Sequence, residues 1–195
     1  MFFNSLSFAI FLPIVFLLYW LVFNKNKTTQ NAVLIVASYY FYSCWDWRFL
    51  FLLLFSTFLC YFTGNQIEKS KQEKSRNFWF WLSIVFNLGF LAIFKYYNFF
   101  AFSLSEALNS IGLHSSPLLL DVILPVGISF YTFHGLSYVI DIYYKRIQSE
   151  KNLVDYALFV SYFPLLVAGP IERATHLLPE IKEKRNFDFE KAQQG

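Results

Sequence analysis

The 195-residue chain is 56% hydrophobic and 23% aromatic, and only 15% of its residues are charged. This is more apolar surface than a soluble domain of this size can bury, so the composition indicates an integral membrane protein. The net charge of +3 is too small to suggest a nucleic-acid partner, and the basic residues fall in short clusters between apolar runs. Two cysteines, Cys44 and Cys60, predict neither a disulfide framework nor a metal site.

The first part of the chain contains four apolar runs, each long enough for a transmembrane helix. They cover residues 1–24, 28–45, 49–67 and 77–94. The first run lacks the basic start and the small-residue cleavage site of a secretory signal, so we predict an uncleaved membrane helix there. Residues 103–117 are more polar, and we predict a loop there with a short surface helix over residues 104–113.

A fifth run, residues 122–140, is uncharged over about the ~20 residues that a helix needs to cross a bilayer. Pro125 is expected in its first turn, where a missing N–H does least harm. His134, Tyr138 and Asp141 stand at i, i+4 and i+7 and therefore share one helix face. Polar groups at membrane depth are costly unless they face protein or a water-filled cavity, so we predict that this helix lines a cavity.

Residues 154–171 are apolar but contain Pro164, Gly169 and Pro170, which disfavour a straight helix. Such breaks are tolerated at membrane depth where the freed backbone is buried in protein or lines a cavity. We therefore predict a broken or re-entrant segment packed against residues 122–140. Arg173 follows it, either as a ligand for a phosphate or carboxylate or simply as a residue of the membrane interface.

The charges of the loops predict an orientation. Loops 24–31, 65–77 and 145–152 are basic, and they alternate with loops 44–48 and 103–117, which are not. The positive-inside rule then places the basic loops in the cytoplasm and the N-terminus outside it. The sequence thus predicts a multi-pass protein of the cell membrane.

Two ionisable residues in the fifth run are candidates for chemistry. His134 could act as a general base, or it could be a structural residue satisfied by Tyr131, Tyr138 or a backbone carbonyl. Asp141 could pair with Lys145 at i+4, bond a tyrosine, anchor a neighbouring helix or transfer protons directly. The sequence contains no glycine-rich phosphate loop, nucleophile elbow or zinc-spaced pair, so nothing supports a covalent serine or metal mechanism.

Two motifs, in this order, resemble the N-terminal half of a membrane-bound O-acyltransferase. They are LPVGISFYTFHGLSYVIDIYY and YFPLLVAGPIERATHLLPEI. The alginate O-acetylase-like branch, related to the D-alanyl transfer protein of teichoic acids, is the most similar, and the likeness runs to about Ile181. It implies an all-α, polytopic transmembrane helix bundle of about six membrane segments, one of them proline-broken. Residues 1–195 would be the N-terminal part of one such domain, and the family's catalytic histidine would lie beyond residue 195.

The resemblance also implies a function. The family moves an acyl group, often acetyl, from a cytoplasmic donor to a hydroxyl of an extracytoplasmic polysaccharide or cell-envelope component. The donor would be acyl-coenzyme A or an acyl-carrier protein, used as a substrate, with no bound cofactor. Membrane lipids and a periplasmic or extracellular acyltransferase are the implied partners. The residues expected to line or support the reaction chamber are Tyr131, His134, Tyr138, Asp141, Pro164, Gly169, Pro170 and Arg173.

Residues 1–195 alone are expected to be inactive, because the base would be missing. An alternative function is a membrane transporter or helper subunit that lines a substrate path. The sequence shows no paired repeat of broken helices, which disfavours the transporter. A third alternative is a structural membrane scaffold with no chemistry.

Overall fold

The protein was analysed as a computed structural model, which describes residues 3–23, 26–113, 116, 119, 124–167, 169–170 and 172–185. Within these ranges all regular structure is helical. The α-helices are α1 (Leu6–Leu17), α2 (Lys27–Ser43), α3 (Trp47–Lys69), α4 (Glu73–Leu91), α5 (Tyr97–Ser110), α6 (Ile128–Tyr143), α7 (Leu153–Ser161), α8 (Phe163–Val167) and α9 (Ala174–Lys182). π-Helical turns follow α1 at Leu18–Val22 and α4 at Ala92–Tyr96.

Polar side chains at the ends of the apolar runs start several helices. Asn26 accepts a hydrogen bond from a backbone N–H in the first turn of α2, and Asn152 does the same for α7, each at 2.9 Å. Asp46 caps α3 in this way, and Arg48 also donates to its carboxylate at 2.6 Å, which lowers the pKa of the Asp46 carboxyl. Such caps satisfy N–H groups that a helix leaves without an intrahelical partner.

Two helical stretches among the described residues are long and apolar enough to cross a membrane, Trp47–Lys69 and the continuous 38-residue stretch Glu73–Ser110. The second would be ~57 Å long at 1.5 Å per residue, well beyond a ~30 Å hydrocarbon core. It includes residues 103–110, so the helix predicted over residues 104–113 is present as far as Ser110, but the prediction that it is a separate helix within a loop is wrong. The reason is that residues 90–110 contain no glycine or proline, and a π-helical turn lets the helix continue.

The outer face of α4 carries large apolar side chains that none of the described helices covers. Phe78, Trp81 and Val85 are 58%, 60% and 62% exposed and lie at i, i+3 and i+7 on one face. A contiguous exposed apolar face of this kind is typical of a surface that contacts lipid or another protein. The two candidate spans and this face indicate a membrane protein.

Helix α6 lies at the centre of the described bundle and packs against α3, α4, α7, α8 and α9. It begins at Ile128 after Gly127, whose φ of 74° is left-handed. A helix was predicted from residue 122, but residues 124–127 are not helical, so that start is wrong. Residues 120–123 lie outside the described part of the chain. Pro125 consequently precedes the helix and does not occupy its first turn.

The predicted break in residues 154–171 is present. Helix α7 ends at Ser161, Tyr162 has a non-helical backbone, and α8 begins at Phe163. The N–H of Phe163, released by the break, donates to Oγ of Ser38 on α2 at 3.1 Å. Pro164 lies in the first turn of α8, where its missing N–H leaves no gap in the helix. The freed backbone is thus buried in protein, and both α7 and α8 contact α6 as predicted. Residues 168 and 171 lie outside the described residues.

Candidate functional site

The predicted polar face of α6 is buried inside the bundle. His134, Tyr138 and Asp141 are at most 2% exposed, as is Tyr131 one turn earlier. Helix α3 packs closely against this part of α6 at Gly135. A Cβ atom on Gly135 would lie 2.8 Å from Sγ of Cys60 on α3, well inside van der Waals contact. The i, i+4, i+7 spacing therefore identified a real inward face.

His134 contacts the segment that follows α8. Its Nε2 atom accepts a hydrogen bond from the backbone N–H of Glu172 at 3.2 Å. Its ring meets Phe159 of α7 edge to face at 5.6 Å between centroids. No described residue is hydrogen-bonded to Nδ1. The expected partners, a tyrosine or a carbonyl, are thus replaced by a backbone donor, and His134 joins α6 to the residues before α9.

Tyr138 holds the connection between α6 and α7. Its hydroxyl accepts a hydrogen bond from the backbone N–H of Glu150 at 2.8 Å, and its ring lies 4.4 Å from that of Tyr156. The Glu150 carboxylate in turn accepts from the backbone N–H of Asn152 at 3.0 Å and pairs with Lys182 of α9 at 2.5 Å. A buried tyrosine on α6 therefore orders the loop that leads to α7, and the same loop is ion-paired to α9.

Asp141 pairs with Arg146 at 3.1 Å and not with Lys145. The i+4 expectation fails because α6 ends at Tyr143 and Lys145 takes a left-handed conformation, with φ of 59°. The backbone N–H of Arg146 then donates to the carbonyl of Asp141 at 2.8 Å, which brings the arginine back to the helix end. The second carboxylate oxygen of Asp141 is buried without a hydrogen bond to any described residue.

The other predicted chamber residues are more peripheral. Gly169 and Pro170 are exposed, and Arg173 is an exposed N-cap of α9. The side chain of Arg173 makes no hydrogen bond or ion pair with the described residues. The structure thus brings Tyr131, His134, Tyr138 and Asp141 together on α6. The backbone of Glu172 lies beside them, whereas the side chain of Arg173 does not. That these residues line a reaction chamber stays a prediction.

A second buried polar cluster was missed by the sequence reasoning. Asp155 on α7 is 1% exposed and accepts a hydrogen bond from Nδ2 of Asn31 at 2.8 Å and from Nζ of Lys27 at 3.2 Å. Nδ2 of Asn31 also donates to the carbonyl of Ile181 at 3.0 Å. This cluster joins α2, α7 and α9. A carboxylate near the start of an otherwise apolar run was the available signal, since a charge is rarely buried without a partner.

Polar residues also join α3 to α4, and these too were missed. Oγ of Ser56 donates to Oδ1 of Asn87 at 2.6 Å, and Nδ2 of Asn87 donates to Sγ of Cys60 at 3.2 Å. All three are almost fully buried. Interhelical hydrogen bonds of this kind are typical of helix packing in membranes, where apolar contact alone distinguishes poorly between protein and lipid.

Comparison with curated proteins finds relatives over nearly the whole chain. It is 37% identical over 176 residues to the probable alginate O-acetylase of Pseudomonas aeruginosa, covering 90% of this chain and 33% of that protein. It is 37% identical over 186 residues to the protein of the same name from Pseudomonas syringae, covering 95% and 35%. The peptidoglycan O-acetyltransferase of Helicobacter pylori is 32% identical over 202 residues, covering 90% and 37%.

The chain spans about a third of the length of these relatives. No family model matches the chain, and no solved structure matches it significantly. The relatives carry names of acetyl transfer to alginate and to peptidoglycan. Over the aligned length, the chain is thus similar to O-acetyltransferases, and the resemblance of its motifs to the membrane-bound O-acyltransferase family, alginate O-acetylase-like branch, is confirmed.

Proposed function

We propose that this chain is part of an O-acetyltransferase of the cell membrane that modifies an extracytoplasmic polysaccharide or peptidoglycan. The names of the relatives support this substrate class. The observation that carries the proposal is the buried polar face of α6, where His134 accepts a hydrogen bond from the backbone of Glu172, directly after the broken segment. Such a face is costly in an apolar bundle and suits the wall of a reaction chamber.

The proposed topology has about six membrane segments. They are the apolar runs of α1, α2, α3, α4 and α6, together with the broken segment of α7 and α8. The N-terminus is extracytoplasmic, because the basic loops would then face the cytoplasm. The acetyl donor, a thioester of coenzyme A or of an acyl-carrier protein, is used from the cytoplasmic side as a substrate.

The proposed chemistry is general-base catalysis. A base removes the proton from the acceptor hydroxyl, the oxygen attacks the thioester carbonyl, and the thiol leaves as the ester forms. His134 is poorly placed for this role, since its Nε2 lone pair already accepts the Glu172 N–H. We therefore assign the base to the histidine that the family resemblance implies beyond residue 195. In this scheme the residues of α6 position the chamber wall.

Ester content of the cell envelope tests the proposal. The gene is deleted, and acetate released by mild alkali is measured from isolated envelope polysaccharide and from peptidoglycan. Deletion is expected to abolish ester-linked acetate in one of the two fractions, and the full-length gene is expected to restore it. Unchanged acetate in both fractions would contradict an acetyltransferase function.

A reconstitution separates the transferase from a transporter. Purified full-length protein in liposomes is supplied with an acetyl thioester on one side and the acceptor on the other. Acetylated acceptor that requires the thioester supports the proposal. Movement of the acceptor across the bilayer without any acetyl donor would instead support a transporter.

A further inference from the structure

A basic cavity of about 740 Å³ lies where the loop after α6 faces the connection between α3 and α4. This volume is within the range of small-molecule sites. Its apolar lining comes from Ile67, Ile142 and Ile147. Its charged lining consists of four cations and one carboxylate, namely Lys71, Arg76, Lys145, Arg146 and Glu68.

Two of these five charges are already paired. Glu68 forms an ion pair with Lys151, outside the lining, and also accepts a hydrogen bond from Ser149. Arg146 pairs with Asp141. The single carboxylate of the lining, Glu68, is therefore neutralised by Lys151 and does not offset the remaining cations.

The other three cations have no acidic partner among the described residues. Lys71 and Lys145 form no side-chain hydrogen bond or ion pair there. Arg76 donates one N–H to the carbonyl of Tyr143 at 2.6 Å, and its guanidinium lies 5.2 Å from the Tyr143 ring. This contact fixes the guanidinium and leaves its other donors available. Within the described part of the chain, the cavity therefore carries the positive charge of three groups without an acidic partner, around an apolar floor.

Lys145 occupies a position at which glycine is the usual residue. Its N–H donates to the carbonyl of Ile142 and the next N–H donates to Asp141, which is the hydrogen-bond pattern of a left-handed helix C-cap. A lysine is strained at φ of 59°, whereas glycine is not. The left-handed backbone therefore does not require a lysine here, and a backbone outlier beside a charged cavity favours a role in binding.

We propose that this cavity is a binding site for a phosphate group. Arginine offers a planar fork of donors to phosphate oxygens, and lysine ammonium groups add point charges beside it. The phosphate belongs either to a phospholipid headgroup or to a soluble phosphate ester, since both present the same oxygens. The site would bind phosphate whether or not the protein transfers acetyl groups.

The test uses full-length protein purified in detergent. Binding of inorganic pyrophosphate is measured by titration calorimetry. In a second arm, retention of phosphatidylglycerol over phosphatidylcholine from mixed micelles is measured by native mass spectrometry. Pyrophosphate binding identifies a soluble ester as the source, and selective lipid retention without it identifies a headgroup. Absence of both overturns the proposal.

Two variants locate the site and one serves as a control. Lys145→Gly is expected to keep or raise the thermal unfolding midpoint while weakening binding at least about fivefold, a typical loss for a charged hydrogen bond. Lys71→Gln should weaken binding similarly. Lys74→Gln removes the same charge from the first turn of α4, outside this cavity, and should leave binding unchanged. Equal weakening in Lys74→Gln would show a diffuse charge effect and overturn the site.

Discussion

The backbone N–H of Glu172 donates to Nε2 of His134 across 3.2 Å, and this bond joins the centre of α6 to the chain before α9. Since Nε2 is the acceptor, a neutral His134 ring carries its proton on Nδ1. The side chain is therefore already engaged at the atom that a catalytic base would use. His134 acts as an anchor for the backbone in this arrangement.

The anchoring role predicts different outcomes for two substitutions of His134. His134→Leu leaves the partly buried Glu172 N–H without its acceptor, which should cost about 0.5–1.5 kcal/mol of stability. His134→Gln offers a side-chain oxygen in its place and should keep most of that stability. The thermal unfolding midpoint of each variant, measured on full-length protein in detergent, checks both expectations.

Acetyl transfer by the same variants distinguishes an anchor from a base. Activity per folded molecule should be close to wild type in His134→Gln, since glutamine accepts a hydrogen bond but cannot take up a proton near neutral pH. A well-folded His134→Gln protein without transfer activity would show that the imidazole itself takes part in the chemistry.

The inward face of α6 could be predicted from the sequence because it depends only on local geometry. His134, Tyr138 and Asp141 fall on one side of any α-helix that contains them. Their partners could not be predicted. The amide of Glu172 is 38 residues from His134, and that of Glu150 is 12 residues from Tyr138, so tertiary packing decides both contacts.

The residues at which helices end could not be predicted from local sequence either. The expected Asp141–Lys145 pair assumed that α6 continues past residue 145, whereas the chain turns left-handed there and Arg146 takes the place of Lys145. Polarity alone suggested a loop at residues 103–117. Without glycine or proline to end it, the helix of α4 instead runs on to Ser110.

Gly127 is predicted to tolerate no side chain. Its φ is 74°, and a Cβ atom there would lie 2.5 Å from the carbonyl oxygen of Leu166 on α8. Gly127→Ala should therefore destabilise the protein by about 1–3 kcal/mol, through backbone strain and displacement of α8. The thermal unfolding midpoint in detergent is the measurement.

Gly89 supplies the matched control for that substitution. It lies inside α4, and a Cβ atom there would meet nothing within 4 Å. Gly89→Ala should raise stability by roughly 0.5–1 kcal/mol, since alanine is the better helix former. If the two alanine variants unfolded at the same temperature, the close approach between Gly127 and α8 would be disproved.

Asp155 is predicted to be a main link between α2 and α7. Asp155→Ala leaves the buried amide of Asn31 and the ammonium of Lys27 without their shared acceptor. The expected loss is about 1–3 kcal/mol of stability, measured as a lower thermal midpoint. Arg48→Gln breaks the exposed pair with Asp46 and should leave the thermal midpoint nearly unchanged, because solvent screens exposed ion pairs. A smaller effect at Asp155 than at Arg48 would argue against the α2–α7 link.

Cys44 offers a direct test of the proposed orientation. It is exposed and lies in the turn between α2 and α3, whereas Cys60 is buried within α3. With the basic loops in the cytoplasm, residues 44–48 face the outside, so a membrane-impermeant maleimide added to intact cells should label Cys44. The labelling should disappear in Cys44→Ser and remain in Cys60→Ser, both in the full-length protein. Labelling of Cys44 only after the membrane is permeabilised would place this turn in the cytoplasm and reverse the topology.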